Sequence, residues 1–207
     1  AFANSLGAAW LNRGRALHRR GTAESLAASA AAYAQSISIL RVLPRDANPW
    51  FGINLAGAWM NRANVLVAMG DLGQAAEART AAKESLALVV TGERTEPILA
   101  DIGLKARRAQ CDAIGQLLLV PDPLNDVAEL TAEASDAVDD GLALVRAWEQ
   151  KGQPAFRPLA ARLFRFGARL YARHQPQFLA EFLVENLDPE TTPGAFADVA
   201  EFHLIAA

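Results

Sequence analysis

Apolar residues recur at spacings of three and four along nearly the whole chain, which is the period of a helix with one buried side. Alanine and leucine dominate and β-branched residues are scattered, so no segment is predicted to be a strand. Breaks containing glycine or proline divide the chain into predicted helices. These helices span residues 2–19, 22–43, 51–69, 72–90, 96–119, 124–151, 156–173, 176–187 and 194–205. The sequence therefore predicts an all-α protein of about nine helices.

Short linkers predict that these helices form antiparallel pairs. Gly21 is almost the whole linker within the first pair, and Gly70 with Asp71 is the whole linker within the second. Gly70 is expected to close one helix in a left-handed conformation, and Asp71 is expected to cap the next. The predicted pairs are 2–43, 51–90, 96–151 and 156–187, with helix 194–205 as a cap on a single domain of residues 1–207.

The first predicted helix recurs 49 residues later. The matched residues are Phe2, Leu6, Ala9, Trp10, Asn12, Arg13, Leu17 and Gly21 with Phe51, Leu55, Ala58, Trp59, Asn61, Arg62, Leu66 and Gly70. In such a unit the tryptophan supplies buried area, and the small Gly14 or Ala63 lets the paired helix approach. Arg13 and Arg62 are expected to cover the tryptophan edge and to pair with Glu24, Asp71 or Glu77. A repeated helical unit predicts a stacked array.

This pattern resembles the tetratricopeptide repeat. The order Trp59, Ala63, Leu66, Gly70-Asp71, Ala75 and Ala82 is similar to its signature, and the resemblance is clearest over residues 2–90. The spacing of 49 residues is longer than the ~34 of the standard repeat. The resemblance implies a right-handed superhelical array of antiparallel pairs, a TPR-like α-solenoid. It also implies a protein-interaction module whose first helices line a concave groove for an extended peptide.

The resemblance further implies which side chains line that groove. They are Asn12, Arg15, Arg19, Asn61, Asn64, Arg107 and Arg165. Asn12 and Asn61 lie about 200° around the helix from the packed tryptophans and would hold peptide main chain through their amides. Arg107 and Arg165 would favour a carboxylate, so the expected partner is a protein or peptide that is acidic or ends in a free carboxylate. The alternative is that all of these side chains are simply solvated.

Charge and composition argue against several other functions. The formal net charge of −3 argues against nucleic-acid binding. No apolar run approaches the ~20 residues that span a bilayer, so we expect a soluble, cytoplasmic protein without a membrane partner. Cys111 is the single cysteine, and His18, His174 and His203 lie far apart in sequence. We therefore expect no metal site, no cofactor and no enzymatic activity.

Residues 156–182 carry more apolar side chains than one buried side requires. The last helix would cover part of them, as terminal caps do in solenoids, or the region 156–205 would mediate homo-oligomerisation. Residue 1 already lies inside a repeat unit, which predicts a longer parent chain. Two alternatives to peptide binding stay open: a regulatory or scaffold segment that docks a domain of its own parent chain, and a homodimerisation domain.

Overall fold

The computed structural model describes residues 2–120 and 125–186. Its α-helices are α1 (Phe2–His18), α2 (Ala23–Leu40), α3 (Pro49–Met69), α4 (Leu72–Val89), α5 (Pro97–Leu118), α6 (Val127–Glu149), α7 (Arg157–His174) and α8 (Pro176–Asn186). Each begins and ends within three residues of its predicted bounds, and the described residues contain no strand. The all-α prediction is therefore confirmed. The predicted helix 194–205 lies outside the described residues.

The helix ends follow the local sequence. Gly70 ends α3 in the left-handed conformation, with φ of 73°. Asp71 then accepts hydrogen bonds from the main-chain N–H groups of Gly73 at 2.8 Å and Gln74 at 3.4 Å. Both predicted roles are confirmed: Gly70 closes α3, because glycine adopts positive φ without strain, and Asp71 caps α4, because its carboxylate satisfies free N–H groups.

Helices α1 and α2 approach closely through small residues and buried hydroxyl groups. A Cβ atom added to Gly14 would lie 2.4 Å from the ring of Tyr33, so only glycine leaves room for this ring. Ser29 donates its hydroxyl hydrogen to the carbonyl of Gly14, and Ser36 donates to that of Gly7, both at 2.8 Å. The earlier residue of α1, Gly7, contacts the later residue of α2, Ser36, and the later Gly14 contacts the earlier Ser29. The two helices are therefore antiparallel.

The second hairpin, α3 and α4, repeats this contact. Ser85 donates its hydroxyl hydrogen to the carbonyl of Ala56 at 2.9 Å, and both residues lie 49 positions after the corresponding pair of the first hairpin. The small Ala63 and Ala82 replace the glycine and tyrosine of the first hairpin, and both are buried. The sequence repeat is thus also a repeat of structure.

The tryptophans and their neighbouring arginines pack as predicted at the side of each hairpin. Trp59 is partly buried against two core clusters, while Trp10 is partly buried and lies under the Arg13 guanidinium, 4.9 Å from its ring centroid. Arg62 forms an ion pair with Glu77 on α4. The tryptophan contact predicted for Arg13 and the ion pair predicted for Arg62 are therefore confirmed.

The chain falls into two compact units, which divide after Leu117. In the first unit, α2 packs between α1 and α3, and α5 packs on α3 and α4 through clusters that include Ile102 and Ala106. Helices α5 and α6, which the sequence predicts to be the third pair, fall in different units. Their pairing, and the single domain, stay predictions.

The second unit consists of α6, α7 and α8 in its described part. Gly167 of α7 lets α8 approach, because a Cβ atom there would lie 2.6 Å from Phe182 and 2.8 Å from Val138. Phe164 stacks on Phe182 with ring centroids 5.5 Å apart. Most of the apolar surplus predicted after residue 156 is buried in this way, while Phe178 and Val184 on α8 are exposed. In the described residues, no helix is both long and apolar enough to span a bilayer.

The contact between Gly14 and Tyr33 gives a direct test of the first hairpin. We expect Gly14→Ala to lower the free energy of unfolding by about 1–3 kcal/mol, because the added methyl group overlaps a buried ring. The control is Gly57→Ala, whose added Cβ meets no atom within 4 Å. It should be neutral or stabilising by up to about 1 kcal/mol, because alanine favours the helix. Urea unfolding measures both, and equal midpoints for the two variants would contradict the close approach.

Candidate functional site

Helices α1, α3 and α5 lie side by side in the first unit. Hydrogen bonds between neighbouring helices join Asn54 to Asn4, Arg108 to Asn64, and Gln116 to the main chain of Val67. The paired residues are separated by 44 to 50 positions, close to the repeat length. Helices α1, α3 and α5 therefore run parallel to one another. This is the expected result when each helix is antiparallel to the next one along the chain.

Asn12 and Asn61 occupy equivalent positions on α1 and α3. Each lies two residues before a small residue that contacts the neighbouring helices, Gly14 or Ala63, and so about 200° away from it around the helix. Asn12 is exposed and Asn61 is partly buried. Asn61 donates one N–H of its amide to the carbonyl of Gly57 at 2.7 Å. Both predicted asparagines thus lie about 200° around their helix from the small residue of the hairpin contact, and on α3 the buried Val65 packs against α2 one turn after Asn61.

Asn64 joins α3 to α5. Its amide nitrogen donates to the carbonyl of Met60 at 2.8 Å, while its amide oxygen accepts a hydrogen bond from the guanidinium of Arg108. Since the amide is held from both ends, its orientation is fixed. Asn64 thus positions the Arg108 guanidinium against α3.

Arg15 and Arg19 are exposed and lie within about 60° of Asn12 around α1. They occupy the last turn of α1 and the residue just after it, where positive charge is favoured by the helix dipole even without a ligand. His18 lies between them in sequence and is partly buried. Burial, and then the positive charge of Arg108, lower the pKa of His18 below its ordinary value, which favours its neutral form near physiological pH.

Arg107 is not a groove residue, and this prediction is corrected. Its side chain is 5% exposed and forms two hydrogen bonds with the carboxylate of Glu93, at 2.7 and 2.8 Å. Glu93 follows α4 and is also buried. The guanidinium is therefore committed to a paired contact in the interior, which holds the end of α4 against α5.

Arg108, the next residue of α5, is the arginine whose guanidinium reaches Asn64 of α3. Ala106 and Ala109 of α5 contact α3, and Arg108 lies about 200° around the helix from Ala106. Its side chain is about one-quarter exposed, and its Nε lies 3.9 Å from the Asp112 carboxylate. Ala106 and Ala109 mark the side of α5 that packs on α3, and the spacing of these small residues is the sequence signal from which Arg108 could have been found.

The polar face is defined here by Asn12, Arg15, Arg19, Asn61, Asn64 and Arg108. Beside it on α5, Lys105 and Asp101 pair with each other at 2.6 Å, so their charges largely cancel. The polar face as defined contains three arginines and no acidic residue, so it is basic although the whole chain has a formal net charge of −3.

Arg165, the last predicted groove residue, lies on α7 in the second unit and is partly buried. Its alignment with the polar face of the first unit stays a prediction. Cys111 is buried on α5, as expected of a small helical residue. Within the described ranges, no three His, Cys, Asp or Glu side chains come together in a group that could hold a metal ion.

Comparisons of this chain with protein-family models, with curated proteins and with solved structures gave no match. The function of the polar face is therefore inferred from its own geometry and charge.

The reassignment of Arg107 can be tested through stability. We expect Arg107→Ala to destabilise the protein by about 3–5 kcal/mol, because it leaves the Glu93 carboxylate buried without its guanidinium partner. The control is Arg41→Ala, an exposed arginine after α2, which should change stability by less than about 0.5 kcal/mol. Urea unfolding distinguishes them. An Arg107→Ala variant as stable as the control would return Arg107 to the candidate binding residues.

Proposed function

We propose that the first unit is a protein-interaction module that holds an extended, acidic peptide segment across the polar face. Two observations support the proposal: Asn12 and Asn61 occupy equivalent positions on two parallel helices, and Asn64 of α3 holds Arg108 of α5. Asn12 and Asn61 each lie about 200° around their helix from the small residue of the hairpin contact. A TPR-like solenoid is the architecture in which such a face would extend from repeat to repeat.

The amides of the polar face match the main chain of an extended peptide. An asparagine amide has donor and acceptor capacity, as does a peptide bond. Asn61 uses one N–H on Gly57, and within the described residues its carbonyl oxygen and second N–H have no hydrogen-bond partner. Because that bond holds the side chain against the preceding turn, less rotamer freedom is lost on binding. Asn12 supplies a second, exposed amide at the equivalent position of α1.

The arginines of the polar face select the charge of the ligand. A guanidinium binds a carboxylate through paired hydrogen bonds. Asn64 orients the Arg108 guanidinium, and its contact with Asp112 at 3.9 Å is beyond hydrogen-bonding distance. A ligand carboxylate would therefore make a better contact than Asp112 does. Arg15 and Arg19 extend the positive charge along α1, which favours acidic side chains or a terminal carboxylate.

Binding of a defined peptide tests this proposal. The probe is a fluorescein-labelled octapeptide of alternating glutamate and serine with a free carboxylate, compared with its amidated form and with a lysine–serine peptide. We expect the glutamate peptides to bind and the lysine peptide not to bind. Asn61→Ala and Arg108→Ala should each weaken binding about tenfold, since a hydrogen bond to a charged or peptide group contributes roughly 1–2 kcal/mol.

The matched control for Arg108→Ala is again Arg41→Ala, which removes the same charge away from the polar face. Its affinity should stay within about twofold of the unaltered protein, because distant exposed charges are screened. Fluorescence anisotropy at 0.15 M salt measures all variants. Equal affinity for the glutamate and lysine peptides would contradict the proposal, as would equal losses in the arginine variants.

Homodimerisation through the second unit is a second candidate function. Phe178 and Val184 are exposed on the same helix, α8, with Val184 at 85%. Light scattering across a concentration series tests it: a dimer that Val184→Glu dissociates would support this function, and a monomer at all concentrations would exclude it. The alternative in which the polar face docks a domain of the same polypeptide uses the surface proposed above and differs only in the source of the ligand.

A further inference from the structure

His18 continues the side of α1 that faces α3. Two earlier residues on this side contact α3: Asn4 accepts a hydrogen bond from Asn54, and Leu11 belongs to a cluster that also contains residues of α3. Asn4, Leu11 and His18 follow one another at intervals of seven residues, so at about 100° per residue they lie on nearly the same side of the helix. His18 is partly buried. It therefore lies at the seam between α1 and α3.

The guanidinium of Arg108 reaches α3 from the side of α5. Asn64 of α3 accepts its hydrogen bond. Burial and, as the smaller cause, the positive charge of Arg108 lower the pKa of His18. Partly exposed charges act on one another strongly only within about 10 Å. His18 of α1 and Arg108 of α5 therefore flank one stretch of α3 beside Asn64.

The imidazole of His18 is an unused hydrogen-bonding group. Within the described ranges, this side chain forms no hydrogen bond and no ion pair. Its charged neighbours on α1, Arg15 and Arg19, are both positive. A partly buried imidazole beside positive charges stays neutral until an anion approaches, and a carboxylate would convert it into a charged donor.

The acidic residues of the neighbouring helices leave this role open. Helix α2 has one acidic residue, Glu24 in its first turn, which is exposed and is not among the causes that change the pKa of His18. The one charged residue of α3, Arg62, already pairs with Glu77. On α5, Asp112 lies 3.9 Å from Arg108.

We propose that His18 is a further ligand-binding residue of the polar face, whose imidazole takes up a proton from solvent and donates a hydrogen bond to a carboxylate of the bound peptide. Arg108 approaches the same stretch of the ligand from α5. The inference rests on the function proposed above, and it adds that peptide binding is coupled to protonation of His18.

This coupling fixes the direction of the pH dependence. In the free protein the pKa of His18 is lowered, and a neighbouring carboxylate raises it in the complex. At a pH between the two values, the complex binds more protons than the free protein and peptide do. The affinity should therefore rise as the pH falls through the pKa of His18 in the complex, and level off below the pKa of His18 in the free protein.

Binding of the glutamate–serine octapeptide at two pH values tests the proposal. The measurement is fluorescence anisotropy at about pH 8 and about pH 5.5, where the glutamates stay ionised, with a tetramethylrhodamine label whose emission does not change over this range. We expect about fivefold tighter binding at the lower pH, which is the size of a partly exposed ion pair. His18→Gln, which keeps a polar side chain but cannot titrate, should remove this gain.

The matched control is His174→Gln. His174 is also partly buried, and burial lowers its pKa as well, but it belongs to α7 of the second unit. This variant should keep the gain in affinity at low pH. Circular dichroism at both pH values checks that each variant is folded.

NMR of the histidine rings tests the placement of His18 without a ligand. The signals that disappear in His18→Gln belong to His18 and report its pKa directly. Arg108→Ala should raise the pKa of His18 in the free protein, because the variant lacks a charge that lowers it, whereas Arg41→Ala should leave it unchanged. Adding the octapeptide to the unaltered protein should also raise it.

The outcomes separate this inference from the peptide-binding function. Equal affinity at both pH values, or a gain that survives in His18→Gln, would overturn the inference while peptide binding stands. A pKa of His18 that stays the same in Arg108→Ala would contradict its placement beside Arg108. Failure of the glutamate peptide to bind at either pH would overturn both proposals.

Discussion

The first unit depends on the close contact between the two helices of each hairpin. In both hairpins a serine on the second helix donates to a main-chain carbonyl on the first, Ser36 to Gly7 and Ser85 to Ala56. Such a bond requires backbones so close that only a glycine or alanine fits between them. Because the contact repeats after 49 residues, it gives both hairpins the same geometry. It thereby sets α1 and α3 in the same orientation, on which the arrangement of the polar side chains depends.

The same repeat explains why one helix surface is polar and another apolar. The first helix of a hairpin has one side for the second helix of that hairpin and another side for a preceding hairpin. Its remaining side stays polar. On α3, α2 covers Leu55 and Val65, Ala63 packs against α4, and Asn61 is partly buried one turn before Val65. On α1 the side for a preceding helix is exposed.

Much of this architecture could be predicted from the sequence. Helix bounds followed from apolar spacing and glycine positions, and the contacts of Arg13 and Arg62 followed from helix geometry. The equivalence of Asn12 and Asn61 followed from the repeat. These features depend on nearby residues or on the repeat after 49 residues. A single sequence is therefore enough to predict them.

The predictions failed where long-range packing decides the outcome. Arg107 was assigned to the groove by extending the family resemblance beyond residues 2–90, the part of the chain where it is clearest. In the structure, Glu93 pairs with Arg107 in the interior, and α5 presents Arg108 instead. Nothing in the sequence spacing marks Glu93 as a buried partner, because the segment between α4 and α5 has no equivalent in the first repeat. The division after Leu117 likewise reflects contacts between distant residues.

The central claim is that the side-chain amides of α1 and α3 form one binding surface for an acidic peptide. Two-dimensional NMR of the side-chain amide groups during titration with the glutamate–serine octapeptide measures this most directly. The account predicts concerted, saturable shifts of the Asn12, Asn61 and Asn64 amides, with the signals of α2 and α4 nearly unchanged. Shifts confined to α2 and α4, or Asn12 and Asn61 signals that stay fixed while the peptide binds, would contradict it.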